Sequence, residues 1–408
     1  MTRKVSHLYV LKFGGSSVAN LSKIRRVADI ISAYRRKRYK IVVVVSAMGD
    51  TTDKLLHLAF KLNPSPPERE LDMLISTGEQ ASAALLAMAL KSKGIEAISF
   101  SGHQAGVLTD LSHTKARILE IEPRRLKQAL LKEKVVVVAG FQGKTPYDDI
   151  STLGRGGSDL SAVALAHVLG ADRCIIYTDV EGVFTADPRI VKEAEKINCI
   201  SFDEMLELAS KGTQVMQARA IEVAKKYNIT LEVRSTFSNK GGTIIKSKQS
   251  LEEAVVRGIS LTEKEAKITI CNLPDRPGIA AEVFQRLSAE NINVDMIVQN
   301  VSRNKITDIS FTVDKAEARK AFDSARLISH KIKAGEVLYD EDIAKVSIVG
   351  IGMRSHSGVA AKMFKALAKA RVNIEMISTS EISISCVVRK KEGKVAAGVL
   401  HKAFGLGR

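Results

Sequence analysis

Residues 8–17 read Leu-Tyr-Val-Leu-Lys-Phe-Gly-Gly-Ser-Ser, an apolar run that leads directly into two adjacent glycines. The run predicts a buried β-strand, and the amphipathic stretch after it predicts a helix. Adjacent glycines let the backbone approach an anion closely, and the amides at the start of a helix can bind phosphate. Lys12 can balance charge on transferring phosphate oxygens. The same pattern also suits an ordinary strand-to-helix turn, and the sequence has no GxxxxGK[ST] Walker loop here.

The alternation of apolar runs and amphipathic stretches continues to about residue 235. The strand candidates are Leu8–Phe13, Lys40–Ser46, Glu96–Phe100, Lys134–Ala139, Arg173–Thr178 and Thr230–Arg234. The helix candidates are Ser22–Arg36, Glu79–Ser92, Pro123–Lys132, Asp159–Leu169, Phe202–Ser210 and Thr213–Lys226. Continuous Val/Ile runs indicate strands buried on both faces. We therefore predict an α/β domain over residues 1–245, with a mostly parallel sheet sandwiched by helices.

An internal repeat follows the polar turn around residues 239–250. Gly278–Phe284 parallels Gly358–Phe364, and Asn293–Ile297 parallels Asn373–Ile377, each at a separation of 80 residues. The pattern of each copy predicts a ferredoxin-like βαββαβ unit, but the second copy ends without a fourth strand. We predict that residues 254–259 supply that strand. The first copy, residues 265–342, would then be inserted into the second, which comprises residues 250–264 and 343–408.

Composition excludes several classes of protein. The net charge of +17 invites a nucleic-acid interpretation, but the 62 Lys and Arg residues are spread along the chain. The densest basic run, Arg35–Arg38, falls at the end of a predicted helix, where cations complement the helix dipole. The four cysteines form no CxxC pair, which favours buried reduced thiols in a cytosolic protein over a metal site. Neither a signal peptide nor an apolar run long enough to span a bilayer is visible.

A second glycine pair lies in Thr152-Leu-Gly-Arg-Gly-Gly-Ser-Asp159, just before an apolar helix. Ser158 or Asp159 can cap that helix, and Arg155 offers a planar fork for a carboxylate or phosphate. A capped, Gly-rich turn would explain this stretch alone. Two such elements together favour facing anion sites, the geometry that a group-transfer enzyme needs for a donor phosphate and an acceptor.

Two acidic residues complete the candidate chemistry. Glu79 is predicted in the first turn of a helix, where the dipole alone would favour a carboxylate; the functional interpretation is that it binds an ammonium group of the acceptor. Asp179 follows the fifth strand, a position suited to a metal–nucleotide complex. The loop from Asp179 to Arg189 is long and is rigidified by Pro188, which favours a functional role.

The motifs together resemble those of the aspartokinases in order and spacing, over nearly the whole chain. The matching stretches are 12–17 (KFGGSS), 45–53 (VSAMGDTTD), 77–79 (TGE), 140–143 (GFQG), 153–159 (LGRGGSD) and 178–189 (TDVEGVFTADPR). The C-terminal repeat resembles their paired ACT domains. The resemblance implies a cytoplasmic enzyme with an amino-acid-kinase fold that makes 4-phospho-L-aspartate from ATP and L-aspartate. This reaction is the first step of lysine, threonine and methionine biosynthesis.

The resemblance also implies roles for individual residues. The catalytic residues would be Lys12, Glu79, Arg155 and Asp179. Aspartate would be bound by Ser46, Thr52, Glu79, Arg155 and Ser158, with Arg155 on its α-carboxylate. ATP would be bound by Lys12, Gly14, Gly15, Ser16, Ser158, Thr178, Asp179, Phe184, Asp187 and Arg189. Mg²⁺ would arrive with ATP, without a metal site of the protein's own.

Feedback inhibition by lysine, threonine or both is implied by the ACT pair. The matching effector-binding positions are Asp275, Gly278, Ile279, Ala280, Asn293, Asp295 and Gln299 in the first copy, with Asn373, Ile374 and Glu381 in the second. ACT domains of this family typically pair across chains, so we expect a homo-oligomer, a dimer or larger. One departure concerns the nucleotide pocket: Gln214 stands where relatives commonly have lysine, and Lys211 is a candidate substitute.

Three other functions remain open from the sequence. The nearest is another carboxylate kinase of the same fold, such as an acetylglutamate kinase, although the 178–189 stretch and the repeat argue against it. A second is a non-catalytic amino-acid sensor, which the Lys12, Glu79, Arg155 and Asp179 set argues against. A third is a nucleic-acid binder, which only the net charge suggests.

Overall fold

The computed structural model describes residues 7–213, 215–247, 255–300, 305–351, 353 and 358–407. These residues form two compact units. Unit 1 holds residues 7–183, 196–209 and 215–247. Unit 2 holds residues 184–195, 210–213 and the described residues from 255 onward.

Unit 1 is built on an eight-stranded sheet with the strand order β10-β12-β11-β9-β1-β2-β6-β3. The strands of the unit are β1 (Leu8–Phe13), β2 (Lys40–Val45), β3 (Ala97–Phe100), β4 (Val107–Thr109), β5 (Ile118–Ile121), β6 (Val135–Ala139), β7 (Gln142–Lys144), β8 (Ile150–Thr152), β9 (Arg173–Thr178), β10 (Cys199–Ser201), β11 (Leu231–Ser235) and β12 (Thr243–Lys246). All neighbouring pairs in this sheet are parallel except β11 with β12. The predicted mostly parallel sheet is confirmed.

Helices pack on both faces of this sheet. They are α1 (Leu21–Arg36), α2 (Thr51–Leu62), α3 (Glu68–Lys91), α4 (Arg124–Leu131), α5 (Gly157–Leu169), α6 (Phe202–Ser210) and α7 (Ala218–Lys226). Four short strands form a separate sheet in the order β5-β4-β7-β8, which the sequence patterns did not predict. Strands of three or four residues are too short to show a hydrophobic period.

Helix α3 differs from its prediction, since it begins at Glu68 and not at Glu79. By length and composition it could cross a membrane, a property that the strand-like apolar runs had not suggested. Its contacts with α1, β3 and β6 place it at the centre of unit 1, and it buries Asp72, Ser76 and Glu79 there. A core helix of a folded unit passes the same test of length and composition.

Unit 2 contains two four-stranded antiparallel sheets, each with two helices. Its elements are β13 (Val255–Thr262), β14 (Glu265–Pro274), α8 (Ile279–Ala289), β15 (Val294–Gln299), β16 (Ile306–Asp314), α9 (Lys315–Ile332), β17 (Val337–Asp340), β18 (Ile343–Ile351), α10 (Val359–Lys369), β19 (Met376–Thr379), β20 (Ser383–Arg389) and α11 (Gly393–Ala403). The sheet orders are β15-β16-β14-β17 and β13-β18-β20-β19. Strand β13 therefore pairs with β18 of the second copy, in the place proposed for residues 254–259; Ala254 lies outside the described residues.

The two copies are joined by reciprocal ion pairs. Lys267 on β14 pairs with Glu375 just before β19, whereas Lys345 on β18 pairs with Asp295 on β15 and with Glu265. The fully buried Lys345 has its charge balanced by these two carboxylates, as a buried ammonium requires. Each copy of the repeat thus provides a lysine that pairs with a carboxylate of the other.

Two short segments from the middle of the chain belong to unit 2. In residues 184–195, the carbonyl of Thr185 accepts the amide of Ile259 at 2.7 Å, and its hydroxyl lies 2.9 Å from Nε2 of His401. Ala186 and Val191 are buried in the core of the second copy. In residues 210–213, Nζ of Lys211 lies 3.6 Å from Oδ1 of Asp295.

The cysteines only partly match expectation. Cys174 and Cys386 are buried, and burial raises the pKa of each thiol, to about 12 for Cys386. Cys199 is exposed and Cys271 is half-buried, because they lie on the edge strand β10 and beside a shift in the β14–β16 register.

Candidate functional site

The carboxyl ends of four parallel strands meet at one edge of the large sheet. Phe13 is in register with Val45 and Tyr177, and Val45 is in register with Ala139. The loops that follow three of these strands begin with Gly14, Ser46 and Gly140, and the fourth strand ends at Thr178; Gly14, Ser46 and Thr178 are predicted site residues. The site is therefore placed where open α/β sheets bind their ligands.

The first glycine pair is packed tightly between the loops after β1 and β2. A Cβ on Gly15 would lie 2.9 Å from the carbonyl oxygen of Ala47 and 3.0 Å from that of Gly49, so a side chain does not fit. Gly15 to Ser17 form a single turn of 3₁₀ helix, in which the amide of Ser17 is bonded to the carbonyl of Gly14. The amides of Gly15 and Ser16 are in the first turn of that helix, where backbone N–H groups lack intrahelical partners. This arrangement suits an anion.

Lys12 points toward the second glycine element. Its Nζ lies 2.6 Å from Oδ1 of Asp159, and both side chains are largely buried, with 12% and 8% of their surface exposed. Nζ would also be 3.5 Å from a Cβ at Gly14, so the ammonium lies beside the first glycine pair. Asp159, expected only as a possible helix cap, forms an ion pair with Lys12 instead.

Helix α5 is started by a glycine instead of by Ser158 or Asp159. Gly156 is the N-cap with φ of 75°, a left-handed conformation that favours glycine, and no side chain caps the helix. The predicted cap is therefore wrong. It leaves the N-terminus of α5 open to an anion, with Ser158 buried in its first turn.

Arg155 projects from this turn into solvent. Its side chain is 93% exposed and makes one long contact of 3.4 Å with Asp53. The carbonyl of Arg155 accepts a hydrogen bond from Nε2 of Gln217 at 2.7 Å. The hydrogen bond from Gln217 fixes the backbone of Arg155, and its guanidinium stays accessible to a ligand.

Glu79 lies in the interior of α3, so the helix dipole does not explain its carboxylate. The side chain is 3% exposed, Oε1 accepts the amide of Ala47 at 3.1 Å, and the buried Oε2 has no hydrogen-bond partner among the residues that the structure describes. Burial raises the pKa of Glu79 to about 7, although the Ala47 amide partly opposes the shift. A buried oxygen without a donor fits a ligand that brings one, such as an ammonium group.

Ser46 and Thr52 lie beside this helix. The amide of Ser46 is bonded to the carbonyl of Phe13 at 3.1 Å, which fixes the start of the loop after β2. Thr52 is the second residue of α2, and its half-buried side chain follows the same loop. The structure thus brings Lys12, Gly14, Gly15, Ser46, Glu79 and Ser158 to one edge of unit 1.

The loop from Thr178 to Arg189 is divided between the two units. Thr178 ends β9 in unit 1 and Asp179 follows it; the Thr178 hydroxyl donates to Asp179 at 3.1 Å. Phe184, Asp187 and Arg189 belong to unit 2. Arg189 forms a bidentate pair with Asp187 that lowers the pKa of Asp187, so each charge already has a partner.

The candidate effector residues lie in two equivalent places in unit 2. Gly278 and Gly358 are the N-caps of α8 and α10, with φ of 93° and 107°. Asp275, Ile279 and Ala280 surround the start of α8, whereas Asn293, Asp295 and Gln299 lie on or just before β15. Asn373, Ile374 and Glu381 flank β19.

Asp295 is less available than the sequence suggests. Hydrogen bonds and charge from Lys345 and Lys211 outweigh its partial burial and lower the pKa of its carboxyl group. The Asp295 carboxylate is thus balanced by two ammonium groups of the chain itself. Lys211, the candidate substitute for the missing lysine, is itself part of unit 2 and pairs there with Asp295. Gln214 lies outside the described residues.

Three polar residues received no binding role from the sequence: Gln142 and Asp72, and Asp159, which was expected only to cap α5. Nε2 of Gln142 donates to the carbonyl of Ser76 at 2.9 Å. Asp72, Ser76 and Glu79 follow one another at helical spacing within an otherwise apolar helix. This row of polar residues on one face could have indicated a functional face of the helix. It was not recognised because the helix was predicted to begin at Glu79, which leaves Asp72 and Ser76 outside it.

Comparison with known proteins gives matches over both units. The sequence pattern of the amino acid kinase family matches residues 7–235, and that of the ACT domain matches residues 271–325 and 346–404. A Mycolicibacterium smegmatis protein named aspartokinase is 48% identical over 406 residues, covering 98% of this chain and 96% of the relative. A Pseudomonas putida protein named aspartate kinase is 49% identical over 401 residues, covering 98% of each chain.

Solved structures give a consistent result. E. coli aspartokinase III in complex with aspartate and ADP matches with a TM-score of 0.80 at 25% identity, covering 97% of this chain and 99% of that one. The same enzyme in complex with lysine and aspartate matches with a TM-score of 0.76 at 26% identity, covering 98% of this chain and 100% of that one.

Proposed function

The chain belongs to the aspartokinases, allosterically regulated kinases that phosphorylate aspartate, and from that membership we propose how its own residues carry out the reaction. A side-chain carboxylate oxygen of L-aspartate bonds to the γ-phosphorus of ATP. The bond between that phosphorus and the bridging oxygen breaks, and ADP leaves with the electron pair. The nucleophile is already ionised at neutral pH, so no protein base is needed.

The observation that carries this proposal is the Lys12–Asp159 pair between the two glycine elements. The Gly14–Ser16 turn and the N-terminus of α5 would hold the phosphates, with Ser158 between them. Lys12 would then stabilise the charge of the transferring phosphoryl group, while Asp159 keeps its ammonium in place. Preorganised charges of this kind are the main contribution in phosphoryl transfer, because the protein has little covalent chemistry to do.

Aspartate would be held on the α3 side of the edge. The exposed guanidinium of Arg155 suits its α-carboxylate, and the unpaired Oε2 of Glu79 suits its α-ammonium. Ser46 and Thr52 would lie along its side chain. Because Glu79 would bind an ammonium group, we expect the acceptor to be an amino acid with a free α-amino group, which N-acetylated amino acids lack.

The nucleotide would lie over Thr178 and Asp179. We propose that Mg²⁺ arrives bound to its phosphates, as is usual in phosphoryl transfer. Mg²⁺ in kinases is typically bound by substrate phosphates with one or two carboxylates, and Asp179 is an exposed carboxylate directly after β9. When bound, it would neutralise developing charge on the phosphates. Phe184, Asp187 and Arg189 stay proposed nucleotide contacts.

Regulation would use the effector positions of unit 2. The starts of α8 and α10 offer backbone amides to the α-carboxylate of an amino acid, lysine or threonine. Effector binding could influence the nucleotide through the chain itself, because the segment after Thr178 leaves unit 1 and its residues 184–195 pack in unit 2. We also propose a cytoplasmic homo-oligomer, a dimer or larger, paired through the ACT domains.

Two assays test this proposal. ADP release measured with aspartate or N-acetylglutamate as the acceptor should be saturable with aspartate alone; preference for N-acetylglutamate would show another carboxylate kinase. Initial rates measured with lysine and threonine, singly and together, should fall with at least one of them. Rates that respond to neither would overturn the proposed effectors.

A further inference from the structure

Asp72 on α3 is a fully buried carboxylate to which the reaction above gives no role. Its Oδ1 accepts the hydroxyl of Thr152, and the amide of Thr114 is shared between Oδ1 at 3.1 Å and Oδ2 at 3.0 Å. Its Oδ2 accepts the amide of Thr152 at 3.0 Å and the Nδ1–H of His113 at 2.9 Å. Burying a carboxylate is costly unless such donors replace water. The two segments that supply the donors are therefore tied to α3.

Both segments adjoin the turn that carries Arg155. Thr152 ends β8, two residues before Gly154. Gly154 has φ of 80°, and a Cβ on it would lie 3.2 Å from the carbonyl oxygen of Thr114, so the turn packs against that segment. The amide of Ala116 also donates to the carbonyl of Thr152 at 2.9 Å. Asp72 thus fixes both the start of the turn and the surface against which it rests.

The same turn is held from its other side by α7. The Arg219 guanidinium donates to the carbonyl of Leu153 at 2.8 Å and to that of Ala116 at 3.1 Å. These contacts reach the turn after Thr152 but not α3. Asp72 is the buried link between the turn and α3, beside the more exposed Arg69–Asp149 pair just before β8. Helix α3 carries Glu79 two helical turns further along the same face.

We propose that Asp72 is a positioning residue for aspartate: it fixes the separation between Arg155 and Glu79, the two groups that hold opposite ends of the α-amino acid. The proposal rests on the function proposed above for these two residues. A misplacement of about 1 Å in such a site can cost roughly 100-fold in activity. Lys12 and the Gly14–Ser16 turn make none of the Asp72 contacts, so ATP binding should not depend on Asp72.

Asp110 provides a matched control. Its carboxylate accepts the amides of Ser112 and Arg117, both on Oδ1, at 3.2 and 3.0 Å. Asp110→Asn keeps that oxygen and both bonds. Asp72→Asn removes the charge and replaces one of two occupied oxygens by an NH₂ group. At the Oδ2 position this group would face the N–H donors of His113 and Thr152, and at the Oδ1 position it would face the amide of Thr114. The same chemical change should therefore be tolerated at position 110 and disruptive at position 72.

The test measures KM for aspartate, KM for ATP and kcat for the full chain, with circular dichroism and thermal unfolding to confirm folding. We expect Asp72→Asn to raise KM for aspartate about 10- to 100-fold, with KM for ATP within about twofold of wild type. Asp110→Asn should leave all three within about twofold. General destabilisation would instead lower the active fraction and leave both KM values unchanged.

Thr152→Val covers the case in which Asp72→Asn does not fold, because it removes only the hydroxyl bond to Oδ1. It should raise KM for aspartate by a smaller factor, about three- to tenfold, again without a change for ATP. A KM for aspartate that stays at the wild-type value in folded Thr152→Val or Asp72→Asn would overturn the proposal. Absence of aspartate kinase activity in wild type would instead refute the proposed function.

Discussion

Nζ of Lys12 lies 2.6 Å from Oδ1 of Asp159, and this ion pair connects the end of the first strand to the first turn of α5. The two glycine pairs, 142 residues apart in the sequence, are thereby brought together in unit 1. A donor phosphate and an acceptor anion need this proximity.

Lys12→Ala should abolish most activity, with kcat reduced at least 100-fold, because the transferring charge loses its stabilising ammonium group. It should also destabilise unit 1 by roughly 3–5 kcal/mol, since Asp159 is left as a buried carboxylate without its partner. Chemical denaturation and initial rates measure the two effects. Lys12→Ala/Asp159→Ala should recover much of the stability and none of the activity; recovered activity would contradict the assignment.

Arg155→Ala should act on substrate binding without affecting the fold, because the side chain is 93% exposed. Loss of a charge-assisted pair of hydrogen bonds costs roughly 2–3 kcal/mol, which predicts a 30- to 150-fold fall in kcat/KM for aspartate. Arg124→Ala is the matched control, since Arg124 is also exposed and is paired only with Glu122 in the part of the chain that the structure describes. A near-normal kcat/KM in Arg155→Ala would remove Arg155 from the site.

Glu79 should make kcat/KM for aspartate depend on pH. Only the ionised carboxylate pairs with the substrate ammonium, and burial raises the pKa of Glu79 to about 7. The ratio should therefore rise from pH 6 to pH 8 with an apparent pKa near 7 in the free enzyme. Glu79→Gln should flatten this rise at a low value. A wild-type profile that is flat over this range would contradict the role of Glu79.

Glu79 should also affect stability, with a sign fixed by the direction of its pKa shift. The folded state holds the proton more tightly than the unfolded state, so the contribution of Glu79 to stability falls as pH rises from about 4.5 to about 7. Glu79→Gln has no charge to bury and should melt above wild type at pH 8. Equal melting temperatures at pH 8 would show that the buried carboxylate costs nothing.

The reciprocal ion pairs of unit 2 should differ in strength. Lys345 is fully buried between Glu265 and Asp295, whereas Lys267 is 19% exposed. After loss of Lys267, Glu375 still has Arg389 at 2.6 Å. Lys345→Ala should cost roughly 3–5 kcal/mol and Lys267→Ala clearly less. Hydrogen exchange of β18 and β14 amides measures this difference; equal loss of protection would contradict the burial argument.

The strands of the large sheet were predictable because continuous Val/Ile runs such as Ile41–Val45 are buried on both faces. The start of α3 was not, because Ser76, Thr77 and Gly78 resemble a loop. In the structure the two hydroxyls bond back to the carbonyls of Met73 and Leu74 at 2.9 and 2.7 Å. Gly78 is required by packing, since its Cβ would lie 2.8 Å from Cβ of Ala47.

The site was predictable in its residue types more than in their partners. Lys12, Glu79 and Arg155 stand out as charges beside glycines or at the ends of predicted elements. The pairing of Lys12 with Asp159 depends on the packing of α5 against β1. The pairing of Asp72 with Thr152 joins residues that are 80 positions apart in the sequence. A single sequence carries no local signal for such contacts. The composition of residues 184–195 likewise does not indicate that they pack with unit 2.

Trapping the product with hydroxylamine tests the central claim most directly. Wild-type protein with ATP, Mg²⁺ and L-aspartate should form aspartyl-hydroxamate, whereas Lys12→Ala and Arg155→Ala should each lose most of that product. Omission of ATP should abolish it. Folded wild-type protein that forms no hydroxamate, or variants that form it at the wild-type rate, would contradict the account.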